Sequence, residues 1–175
     1  HRPAQHRGAR PRRIAWPGSR PLRGLGRREP RVAHFVIMGC GRVGATLAHT
    51  LEDDGHSVAV IDRDPAAFRR LRPGFAGSTV TGVGFDRDTL MEARITEAYA
   101  FAAVSSGDNS NILATRVARE QFHVAHVVAR IYDPGRAEIY QRLGIPTVAS
   151  VRWSADQVLR RILPEHALSG DFRDA

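Results

Sequence analysis

The stretch His34-Phe35-Val36-Ile37-Met38-Gly39-Cys40-Gly41-Arg42-Val43-Gly44, with Val58-Ala59-Val60-Ile61-Asp62 one helix-length later, decides the fold. Phe35 to Met38 is an unbroken apolar run, the pattern of a strand buried on both faces of a parallel sheet. Gly39-x-Gly41-x-x-Gly44 follows directly. In this spacing the first glycine permits a tight turn. The second lets backbone approach a pyrophosphate, and the third lets a helix pack closely on the strand. Val43 to Glu52 carries small and apolar residues at helical spacing (Val43, Leu47, Ala48, Leu51), and Gly55 suits the helix end. Such a helix directs unpaired N–H groups and a positive dipole end at phosphates. Asp62 closes the second strand about twenty residues on, where a carboxylate accepts from a ribose hydroxyl. Strand, glycine turn, helix, strand and acid in this order read as a nucleotide-binding fingerprint.

Outward from this unit the chain keeps alternating strand and helix. Strands are predicted over 33–38, 57–62, 77–82, 99–104, 125–131 and 147–149. Helices are predicted over 42–53, 65–71, 86–94, 109–122 and 134–143. Asp86 serves as an N-cap, Pro134 suits a first turn and Gly144 stops its helix. Repeated βα units imply an α/β, Rossmann-type, doubly wound parallel six-stranded sheet over residues 32–150. A last helix within 151–164 sets Val151, Ala155, Val158, Leu159 and Ile162 on one face, with Trp153 beside them, and Pro164 ends it. It either covers the sheet edge or packs on a second subunit. Residues 165–175 read as a polar linker.

Composition narrows the function. Of 26 basic residues all are arginine, and ten of them lie in residues 1–31 beside one acid, Glu29, so the net charge of +8 belongs to that tail. The tail is rich in Arg, Pro and Gly and without periodicity, as in segments too poor in apolar surface to order themselves. It reads as a disordered extension, with translation of codons upstream of the true start as one origin. A basic arm for nucleic acid or anionic lipid is the other reading, and no nucleic-acid partner is expected. The absence of lysine removes Schiff-base lysines, the phosphate-binding lysine of P-loops and the Tyr-x-x-x-Lys pair of short-chain dehydrogenases. One cysteine excludes an internal disulfide framework and a Cys-rich zinc site. No apolar run approaches the roughly 20 residues of a membrane span, no signal-peptide pattern is seen, and a cytoplasmic location is expected.

Ligands of open parallel sheets bind at the carboxyl ends of the strands. Those ends supply Gly39, Cys40, Gly41, Arg42, Val43 and Gly44, then Asp62 and Arg63, then Val83 and Gly84, then Ser105 and Ser106, and finally Arg130. Asp62 favours an unphosphorylated ribose, so NAD or an adenine nucleotide is expected over NADP. Arg63 is the counter-indication, since it can pair with a phosphate, and Arg42 can reach a terminal phosphate. Cys40 reads as a small turn residue, with a redox-sensitive thiol as the lesser alternative. His49 and His56 read as surface residues, and His123 and His126 have no carboxylate partner at metal-ligand spacing. Ser105-Ser106-Gly107-Asp108-Asn109 lacks the glycine of a nucleophile elbow. No catalytic residue and no metal site is expected. Few residues follow the sixth strand, where a dehydrogenase needs a substrate domain, so a binding module fits better than an enzyme.

With these residues in place, the chain resembles the N-terminal nucleotide-binding domain of the Trk/Ktr potassium-uptake regulatory proteins, the RCK_N (TrkA-N) family. The resemblance covers about 33–164. It rests on the glycine stretch, on Ile61-Asp62-Arg63-Asp64, on Thr81-Gly82-Val83-Gly84-Phe85-Asp86, on Ala103 to Asn111 and on Val128-Ala129-Arg130-Ile131. It implies a cytosolic subunit that binds NAD(H) or ATP/ADP, gates a membrane potassium channel or transporter, and assembles as dimers or rings. The strand-end residues above would be its nucleotide contacts, and the last helix its crossover helix. Family members often carry Gly-Asp-Ala after strand three where this chain has Gly82-Val83-Gly84, and the C-terminal ligand domain usual in the family is read as absent. The alternative function is a small NAD-dependent oxidoreductase or epimerase.

Overall fold

A computed structural model describes residues 32–163. The expectations for 1–31, for Pro164 and for 165–175 lie outside the described residues. The strands are β1 (His34–Met38), β2 (Ser57–Asp62), β3 (Ser78–Thr81), β4 (Ala98–Ala103), β5 (His126–Ile131) and β6 (Thr147–Ala149). The α-helices are α1 (Arg42–Asp53), α2 (Arg87–Glu92), α3 (Asp108–Glu120), α4 (Pro134–Arg142) and α5 (Ser150–Ile162). All strand pairs are parallel, in the order β3-β2-β1-β4-β5-β6. The order reverses between β1 and β4, which places the switch point of the sheet directly above the glycine turn.

Local chemistry explains most boundaries. Asp86 caps α2 by accepting from the Thr89 N–H at 3.1 Å, and Asp133 caps α4 through the Arg136 N–H at 3.0 Å. Gly55 and Gly144 follow α1 and α4 with φ of +85° and +74°, the left-handed conformation that ends helices. The segment expected as a helix over 65–71 is instead a 3-10 turn, Pro65–Arg70. Asp64 and Pro65 start it and Pro73 lies just beyond, which leaves room for two tight turns only. A second 3-10 turn, Ile95–Glu97, was not expected. It is launched by Arg94 in the left-handed region at φ +59°, whose guanidinium pairs with Glu97.

Alternation along the strands divides the core. Val36, Met38, Phe101 and Ala103 pack with Leu90, Ile95, Ala114 and Ala118 on the α2 and α3 face. Ile37, Val58 and Val60 pack with Ala48 of α1 and Ala67 on the other. Ala129 and Ile131 join Ile112 of α3 and Ala137 of α4 in a third cluster. The apolar stripe of α5 is not part of any of them: α5 has no buried residue, and Ile162 is 68% exposed.

Candidate functional site

The C-terminal ends of β1, β2, β4 and β5 enclose a cleft of about 730 Å³. Gly39, Cys40, Gly41, Arg42 and Val43 border it from the turn after β1. Asp62 and Arg63 border it from β2, Val83 and Gly84 from the loop after β3, Ser105 and Ser106 from the loop after β4, and Arg130 from β5. Gly44 does not reach the cleft. A Cβ at Gly44 would lie 1.8 Å from the Gly39 carbonyl oxygen, so this glycine exists to let α1 pack on the turn.

The other two glycines divide the remaining work. Gly39 has φ +104°, and a Cβ there would lie 2.7 Å from the Ser105 nitrogen, so both conformation and space demand glycine. Gly41 is different. Its φ of −79° suits any residue, and a Cβ built on it meets no protein atom within 4 Å. Nothing inside the protein requires a glycine at Gly41. The bare backbone faces the cleft, at the N-terminus of a helix that has no side-chain cap and no acid in its first turn. The N–H groups of that turn are therefore open to an anion.

The Asp62 carboxylate accepts from the Cys40 N–H at 2.7 Å and from the Asp64 N–H at 2.9 Å. It thereby ties the end of β2 to the glycine turn. A carboxylate has about four lone-pair sites, so two remain for a ligand hydroxyl. Four arginines border the cleft: Arg42, Arg63, Arg70 and Arg130. None of them forms an ion pair among the described residues, whereas Arg72, Arg94, Arg116, Arg119, Arg142 and Arg152 all do. Against them stand only Asp62 and Asp64, so the cleft is net positive and suited to a polyanion.

The Ser105–Ser106 loop is held by an amide that sequence reasoning did not single out. Asn111 is fully buried. Its Oδ1 accepts from the Ser105 N–H at 3.0 Å and the Ser105 hydroxyl at 2.7 Å, and its Nδ2 donates to the carbonyls of Ser105 (2.9 Å) and Arg130 (2.8 Å). One side chain thus locks the ends of β4 and β5 together. Asp108 repeats the device one turn earlier, accepting from the N–H groups of Tyr132 and Asp133 at 2.8 and 3.1 Å.

Arg70 and Tyr132 also line the cleft without having been expected. Tyr132 lies two residues past Arg130 and period two was the available signal. Arg70 is brought beside Ala67 because residues three apart eclipse in a 3-10 turn. Cys40 contributes backbone to the cleft, while its thiol is fully buried with Ile37, Ala48 and Val58. Burial, and then the neighbouring Asp62, push its pKa up, so the thiol is not activated and the redox alternative fails. No histidine borders the cleft, and no group of three His, Cys, Asp or Glu able to hold a metal occurs among the described residues.

Residues 35–151 match the TrkA-N domain family. The chain is 72% identical over 134 residues to the Trk system potassium uptake protein TrkA of Streptomyces coelicolor. The match covers 77% of this chain and 60% of that protein, so the chain spans less than two thirds of its relative's length. Among solved structures, the Kef CTD of Shewanella denitrificans in AMP-bound form superposes with a TM-score of 0.63 at 19% identity, covering 77% of this chain and 84% of the other. The GsuK channel bound to NAD superposes with a TM-score of 0.56 at 20% identity, covering 69% and 22% of the two chains. GsuK bound to ADP gives the same score and identity over 68% and 31%. At these identities the superpositions speak for the fold. No described helix is long and apolar enough to cross a membrane.

Proposed function

The chain belongs to the TrkA-N domain family, and from that premise we propose that it is a nucleotide-sensing regulatory subunit of a potassium-uptake system. Residues 32–150 are the nucleotide-binding domain and 151–164 the crossover helix. The ligand is NAD(H) or ATP/ADP. The protein works in the cytoplasm, bound to a membrane channel or transporter subunit, and associates with itself as a dimer or ring. The observation that carries the nucleotide reading is Gly41, a glycine that the protein needs neither for conformation nor for packing.

In this reading the phosphates lie on the bare backbone of Gly41 and the first turn of α1, with the four cleft arginines balancing their charge. The Asp62 carboxylate takes the ribose hydroxyls and disfavours a 2′-phosphate. Different nucleotides hold the Gly39–Gly44 turn and the Ser105–Ser106 loop differently, and the difference in their affinities for two subunit arrangements supplies the gating energy. The protein is not an enzyme in this account. What supports a binding role is that the Asp62 carboxylate, tied to two backbone N–H groups, has its remaining lone pairs placed for ribose hydroxyls, and that the Cys40 thiol is buried.

Titration calorimetry with NADH, ADP and ATP tests it. Wild-type protein is expected to bind at least one of the three saturably and NADPH more weakly. Asp62→Ala is expected to lose at least about tenfold in affinity, roughly 1.4 kcal/mol. Equal affinities of wild type and variant would overturn the assignment.

A further inference from the structure

Arg130 borders two cavities at once. One is the nucleotide cleft. The other is a groove of about 610 Å³ that shares Val43, Val104, Arg130 and Tyr132 with the cleft and is further lined by Ala102, Val128, Val148 and Trp153 of α5. Its guanidinium has no carboxylate partner among the described residues and is parked on neutral groups. Nη1 donates to the Val104 carbonyl and Nε to the Ser150 hydroxyl, both at 3.4 Å, which is long for such bonds. Nη2 donates to the Tyr132 hydroxyl, and the guanidinium carbon stands 4.2 Å from the Tyr132 ring centroid.

Ser150 is the first residue of α5, and α5 is weakly held. It buries no residue and has no side-chain cap at its N-terminus. Among the described residues its polar side-chain ties to the rest of the domain are the Arg130–Ser150 bond and an Arg152–Glu138 ion pair at 3.1 Å. The ion pair is solvent-exposed and so worth little. The two bonds that tie this guanidinium to Val104 and Ser150 are long and go to neutral oxygens, its other contact being Tyr132, and a phosphate competes well for them because hydrogen bonds to an ionised acceptor are stronger than neutral ones.

We propose that Arg130 is a positioning residue that reports phosphate occupancy of the cleft to α5: it anchors Ser150 when no anion is present and releases it when a phosphate draws the guanidinium away. The inference rests on the nucleotide reading above and adds the route by which binding reaches the peripheral helix. By linkage, anything that weakens the anchor leaves nucleotide affinity equal or raises it.

The chain carries its own reporter. It has two tryptophans, Trp16 and Trp153, so Trp16→Phe leaves Trp153 as the single emitter. ADP is titrated into this variant of the 175-residue chain with excitation selective for tryptophan, and binding is measured in parallel by calorimetry. Saturating ADP is expected to shift Trp153 emission. In Ser150→Ala, the ADP-free emission is expected to match that of ADP-bound wild type, with no further shift on saturation and calorimetric affinity equal or higher. Ser150→Thr, which keeps the hydroxyl, restores the shift. A full ADP-dependent shift in Ser150→Ala overturns the proposal, as does calorimetric binding to wild type with no Trp153 shift. Absence of calorimetric ADP binding to wild type removes the ADP reading and the coupling with it, and is thereby distinguished from failure of the coupling alone.

Discussion

Gly41 and Gly44 stand three residues apart, and the protein treats them in opposite ways. At Gly44 the helix backbone touches the turn, and a single methyl group would overlap the Gly39 carbonyl. Gly44→Ala is therefore expected to cost at least about 2 kcal/mol of unfolding free energy, measured by denaturant titration. A loss of a few tenths would show that the turn relaxes freely. At Gly41 the same methyl group meets empty space. The places of Gly39, Gly41 and Asp62 at the strand ends were legible in the sequence because they are set by local spacing between one strand and the next. Asn111 was not. Its value lies in the Ser105 and Arg130 backbone, 6 and 19 residues away, and a buried asparagine inside a helix has no sequence mark of that. Cys40 shows the converse: its position beside a helix N-terminus suggested reactivity, but its side chain turns into the core, where burial decides.

At the scale of elements, the loop after β4 and the end of β5 form one unit because of Asn111. Asn111→Ala strands the Ser105 and Arg130 carbonyls and is expected to cost about 2–4 kcal/mol in denaturant titration. A second element is pinned by charge. The Glu52 carboxylate of α1 accepts from the Ala76 N–H and pairs with Arg72, which fastens the segment before β3. The bond from Ala76, and then Arg72, hold the Glu52 pKa below its ordinary value. A depressed carboxylate pKa contributes stability that is present above the unfolded value, about 4.3, and lost as pH falls through the lower folded value. The stability gap between wild type and Glu52→Gln should thus be present at neutral pH and close below about pH 4.3. A gap constant across that range would remove Glu52 as its source. Strand and helix boundaries were largely readable, because caps and apolar runs are local. The segment 65–71 was legible as a short helix but not as a 3-10 one, and the turn at Ile95–Glu97 was not legible, since Arg94 gives no sequence signal for its left-handed backbone.

At the scale of the molecule, helices cover the sheet unequally. α1 and the Pro65–Arg70 turn cover β1 and β2 on one face, and α2, α3 and α4 pack on the other. The α1-side face of β4 to β6 is left as the groove beside α5, lined by Val148 and Trp153, and Val158 and Ile162 are exposed further along α5. The stripe on α5 was legible as amphipathic, but whether it faced its own core or another chain was not, because periodicity carries no address. In the proposed assembly a second copy covers this stripe. Sedimentation of the full chain should show self-association that Val158→Glu with Ile162→Glu weakens by tenfold or more, about 1.4 kcal/mol. Unchanged association would place the contact elsewhere.

Nucleotide binding turns on what approaches Gly41. Aspartate is a good N-cap residue and is favoured at a helix N-terminus, so Gly41→Asp should keep the folding stability of wild type to within about 1 kcal/mol. The same carboxylate fills the open space and repels a phosphate. Calorimetric titration of ADP, ATP and NADH into Gly41→Asp, beside a denaturant titration, is the direct measurement. The prediction is an intact fold with no detectable binding of any nucleotide that binds wild type. Binding equal to wild type in a stably folded Gly41→Asp would contradict it.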